Sequence, residues 1–102
     1  MKIKLEDYVQ YAQSLHGLTR KTLAEGKEFR IEAFHDRVRF FPKSTGKPRG
    51  TTTLKQIGQI LAHYEKTGSH KTSEYQEITR NASYHLAVIA DYVATQKVDK
   101  AE

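Results

Sequence analysis

The sequence predicts an α+β domain: an N-terminal helix, a two-stranded antiparallel hairpin and a C-terminal three-helix bundle. Three patterns carry that expectation. Leu5, Val9, Ala12 and Leu15 recur at helical spacing near the N-terminus. Phe29, Ile31 and Ala33, then Val38 and Phe40, alternate with their neighbours at the strand period. Leu54, Ile57, Ile60, Leu61 and Tyr64 return to a helical stripe. A chain of 102 residues has room for one core. The reading is a single α+β domain over residues 1–96, then a polar tail, 97–102.

The first helix spans residues 4–16, with Tyr8 and Tyr11 flanking its apolar stripe. Gly17 suits the position just past its end, where a positive φ is common. Leu18 to Gly26 shows no clear period, and a short helical turn ending at Gly26 is one reading.

Residues 28–42 read as a hairpin turning at His35-Asp36. That turn sets Ala33 opposite Val38, Ile31 opposite Phe40 and Phe29 opposite Pro42, all on one face. On the other face Glu32 opposes Arg39. Neither turn residue is Gly, although a type I′ turn needs positive φ at both positions.

Lys43 to Thr53 reads as a loop, broken by Gly46, Pro48 and Gly50. Thr53 and Gln56 have capping-box spacing at the start of the next helix, which Gly68 ends. A short helix is expected from Glu74 to Ile78, then a turn at Thr79-Arg80-Asn81. The last helix runs to about Gln96, with Ala82, Leu86, Ile89, Ala90 and Val93 inward.

Charge is unevenly placed. The chain has 17 Lys+Arg and 12 Asp+Glu, a formal +5. Six of the cations, Arg37, Arg39, Lys43, Lys47, Arg49 and Lys55, lie between Arg37 and Tyr64, a stretch without Asp or Glu. The remainder, with 11 cations and 12 carboxylates, nets −1. Such a segment suits a polyanion, because each cation that neutralises a phosphate releases a condensed counterion.

Several functions are excluded or left without support. The absence of Cys excludes disulfides and thiolate chemistry. His16, His35, His63, His70 and His85 form neither H-x-x-x-H nor H-E-x-x-H, so no zinc site is expected. Gly46-Lys47 is followed by Pro48 where a phosphate-binding loop needs a hydroxyl. No catalytic residue, metal or cofactor is indicated, and an enzyme has no support. No apolar run reaches the roughly 18 residues of a membrane span. Glu6-Asp7 stand where a signal peptide needs apolar residues, so the bacterial or phage cytosol is the expected location.

A helix ends in Ile60-Leu61-Ala62-His63-Tyr64-Glu65-Lys66-Thr67-Gly68, followed by the short Glu74-Tyr75-Gln76-Glu77-Ile78 and a helix from Asn81 onward. Residues 54–93 thereby resemble the helix-turn-helix core of winged-helix DNA-binding proteins. The resemblance implies a last helix entering the major groove by its N-terminal end. Arg80, Asn81, Ser83, Tyr84 and His85 would then face bases or phosphates.

The function expected is a small basic protein binding nucleic acid, DNA ahead of RNA and double-stranded DNA first. It would use the basic loop and the start of the last helix. The alternative is a protein-interaction or oligomerisation module, such as a homodimer, without nucleic acid. Tyr8, Tyr11, Phe34, Phe41, Tyr75 and Tyr92 would be its anchors. No membrane partner is expected.

Overall fold

Ala33, Ile31 and Phe29 of one strand face Val38, Phe40 and Pro42 of the next, in the register the apolar alternation predicts. A computed structural model describes residues 3–48 and 50–101. In chain order the elements are α1 (Leu5–Ser14), β1 (Thr19–Lys21), β2 (Glu28–Ala33), β3 (Arg37–Pro42), β4 (Thr51–Thr53), α2 (Leu54–Thr67), a 3-10 turn (Thr72–Glu74) and α3 (Ala82–Ala101). The strands form one antiparallel meander in the order β1-β2-β3-β4.

The fold is therefore α+β, but the sheet has four strands instead of a two-stranded hairpin. Both additions are three-residue edge strands, too short to show a period. β1 lies in the segment Leu18 to Gly26, and its half-buried residue is Arg20. β4 closes the stretch Lys43 to Thr53, which Gly and Pro density marked as loop, and it buries only Thr52. The hairpin turn carries no positive φ. Phe34 N–H donates to the Arg37 carbonyl across it at 2.8 Å.

The predicted three-helix bundle of helix-turn-helix type does not form. Its middle helix is only the 3-10 turn Thr72–Glu74. The segment after it is fixed by fully buried Tyr75, whose hydroxyl donates to the Ser69 carbonyl at 2.6 Å. α2 and α3 share one apolar core with α1 and the inner sheet face. The apolar inner face of β2 and β3 gives these helices the packing surface expected of a third short helix. α3 also continues to Ala101, beyond the predicted end at Gln96.

Local chemistry fixes the ends of α2. The Thr53 side chain accepts from Gln56 N–H, and the Gln56 side chain accepts from Thr53 N–H, a complete capping box. Gly68 ends the helix at φ 65°, a left-handed conformation that costs Gly little. α3 is tied across to β1 by Asp91, which accepts from Arg20 Nε at 2.9 Å and from the Tyr11 hydroxyl at 3.2 Å.

A polar line crosses the core. Tyr8 Oη and His85 Nδ1 share a hydrogen bond of 2.7 Å, and His85 Nε2 and Thr52 Oγ1 one of 2.9 Å. Asn81 Nδ2 also reaches Thr52 Oγ1, at 3.5 Å. The line joins α1, α3 and β4, and all four side chains are buried. Buried polar groups need such partners, since an unpaired one keeps its full desolvation cost. Asn81 Oδ1, buried without a partner among the described residues, is the exception in this line.

Candidate nucleic-acid interface

The helices cover one face of the sheet and leave the other open. Strand alternation turns Phe29, Ile31, Val38 and Phe40 inward, so Arg30, Glu32, Arg37, Arg39 and Phe41 turn outward. β1 adds Thr19 and Lys21 to the open face, and β4 adds Thr51 and Thr53.

The arginines and aromatic rings interleave. The Arg37 guanidinium sits 4.8 Å from the Phe34 ring centre. Arg39 lies between two rings, 5.8 Å from Phe34 and 5.7 Å from Phe41. Arg30, directly opposite Phe41, stacks over that ring at 4.6 Å. Outward positions on one strand repeat roughly every 7 Å, so Arg37, Arg39, the Arg30–Phe41 pair and Lys43 form one row. Stacking suits guanidinium, which is planar and weakly hydrated, and it limits the rotamers each arginine visits.

Glu32 lies inside this row. It accepts from Arg39 Nη2 at 2.8 Å and stands 3.7 Å from Arg30 Nη2. Arg39 Nε is buried and has no partner among the described residues. Asp36 pairs with Arg37 at the hairpin tip. Glu28 pairs with Lys43 at 2.8 Å, and that hydrogen bond holds the Glu28 carboxyl below its ordinary range.

The sheet is stepped. β1 pairs with β2 at Glu28 to Arg30, whereas β4 pairs with β3 at Arg37 to Arg39. At each end the sheet is thus three strands wide, roughly 10 Å between its outer strand axes.

The residues marked in the sequence are only partly gathered here. Arg37 and Arg39 are on the open face. Lys43 continues their row, and Lys47 is exposed on the following loop. Arg49 lies outside the described residues. Lys55 is exposed on the first turn of α2, and Arg80 is exposed before α3. Tyr84 is half-buried, with its ring 4.8 Å from Phe29 and 5.2 Å from Phe40. Tyr84 and Lys43 line one depression with Lys27 and Ser44, and Tyr84 and Ser83 line a neighbouring cleft with His70.

Two of the residues are turned the wrong way for recognition. Asn81 is 4% exposed and His85 0%, so neither is presented to a groove. The expected inward stripe of α3 was too narrow. The sheet also buries the adjoining row Asn81, His85 and Val88, because a flat surface covers a wider arc of helix than another helix does. Arg30 was missed, although the hairpin register already put it opposite Phe41, and Phe34 and Phe41 were expected only as anchors for a protein partner.

No family model, curated protein or solved structure matches this chain. No helix among the described residues is long and apolar enough to cross a membrane.

Proposed function

We propose that this chain binds nucleic acid, double-stranded DNA first, through its open sheet face, with the loop between β3 and β4 on the adjacent backbone. One observation carries the reading: a row of arginines interleaved with aromatic rings on the sheet face that no helix covers. Side chains that project from the central strands can enter a major groove about 12 Å wide. Strands of other DNA-binding proteins read grooves in this way. Arg37, Lys43 and Lys47 would meet phosphates, while side chains at mid-strip would meet base edges. The sheet here takes the role first expected of the last helix, whose Asn81 and His85 are occupied in the core. A cytosolic location accords with this partner.

The protein-interaction alternative loses two of its six expected anchors, since Tyr8 is 1% exposed and Tyr75 0%. Salt separates the two readings. Phosphate binding weakens steeply as salt rises, and an apolar interface does not.

Replacing Arg30, Arg37 and Arg39 together by Ala is expected to weaken binding to mixed-sequence duplex DNA. The log–log salt slope should fall by about one unit for each phosphate that is no longer neutralised. The outward side chains leave the core untouched, so the circular dichroism spectrum should not change. Wild-type affinity and slope in the folded triple variant would reject the proposal.

A further inference from the structure

Glu32 is out of place on a surface meant only for phosphate. A carboxylate at mid-strip repels a polyanion and weakens binding unless it does something else. Its neighbours show what that is. It lies directly opposite Arg39 and accepts from Nη2 at 2.8 Å. The Arg39 guanidinium is also confined between the rings of Phe34 and Phe41. Its Nε is enclosed, so the N–H groups that can reach a ligand are on its outer, Nη edge. Arg39 is therefore held in one pose at the centre of the strip, whereas Arg37 and Lys43 stand toward its ends.

We infer that Arg39 reads a guanine in the duplex, and that Glu32 is the positioning residue that aims it. This rests on duplex binding by the open face. A guanidinium edge matches guanine O6 and N7 by two parallel hydrogen bonds, the commonest specific contact in a major groove. Fixing the donor before binding removes an ordering cost that a free arginine bears on each encounter. Arg30, 3.7 Å from Glu32 and stacked on Phe41, completes the support from β2.

The probe is duplex DNA carrying a randomised central segment. Wild-type protein is expected to enrich guanine-containing sites over mixed sequence. Arg39→Lys keeps the charge but loses the planar fork, so it should keep most affinity for mixed sequence. Its preference for the enriched site should fall about 10- to 100-fold. Glu32→Ala should lower that preference while strengthening binding to mixed sequence. Glu32→Gln should restore most of the preference, because its amide oxygen still accepts from Nη2. A Glu32 that acts by charge alone would make the Ala and Gln variants behave alike, which overturns the inference. Binding without guanine enrichment, or enrichment that survives Arg39→Lys, overturns it too and leaves duplex binding standing. No binding to any duplex overturns both.

Discussion

Lowering the pH from 7 to 4 is expected to remove roughly 3 kcal/mol of folding stability through His85 alone. Its imidazole is fully buried, bonded to the Tyr8 and Thr52 hydroxyls and edge-on to Phe40 at 4.7 Å. Neither bonded partner is a carboxylate that would favour the cation. Burial pushes its pKa down to about 3. In the unfolded chain the same group takes its proton near pH 6.5. Between these values the unfolded state binds more protons, so stability falls as pH falls. The contribution is complete above about pH 6.5 and lost by about pH 3. Urea unfolding followed by circular dichroism at pH 7, 5.5 and 4 measures it. His85→Gln should start lower at pH 7, by about 1–3 kcal/mol for the disturbed hydrogen bonds, and then decline less steeply. Parallel declines in both proteins would contradict this account of the buried line.

Phe40→Ala should cost about 3–5 kcal/mol, the usual range for a large buried aromatic residue. The ring is fully buried, with Phe29 at 5.5 Å, Tyr84 at 5.2 Å and His85 at 4.7 Å. Those neighbours come from another strand and from α3, so the cavity left behind would not readily collapse. Phe41, the next residue along, faces outward and carries arginines instead of core. Phe41→Ala should cost much less stability. Chemical denaturation of the two variants compares the two sides of one strand. Equal losses would mean that the open face is a second buried surface.

The β2–β3 hairpin was legible because six apolar residues had to share one face, and a turn at His35-Asp36 then picks the register. The α2 cap was legible because Thr53 and Gln56 are close in sequence and need no tertiary partner. The edge strands were not. Thr19-Arg20-Lys21 and Thr51-Thr52-Thr53 are strands because β2 and β3 offer them free edges, a property of the assembled sheet. Tertiary packing also overrode the local pattern at the candidate site. Asn81 and His85 look like groove-facing polar residues until Thr52 and Tyr8 are brought against them. The charge asymmetry was visible along the chain, but not its interleaving with Phe34 and Phe41. That depends on which face the helices leave open, and the helices choose the face that buries Phe29, Ile31 and Phe40.

Backbone amide chemical shifts during titration with mixed-sequence duplex DNA at low salt test the central claim most directly. The account predicts shifts concentrated at Arg30, Glu32, Arg37, Arg39, Phe41 and Thr51, extending into the loop after β3 and reversed by added salt. Shifts confined to the outer surfaces of α1 and α2, or none with a well-folded spectrum, would contradict it.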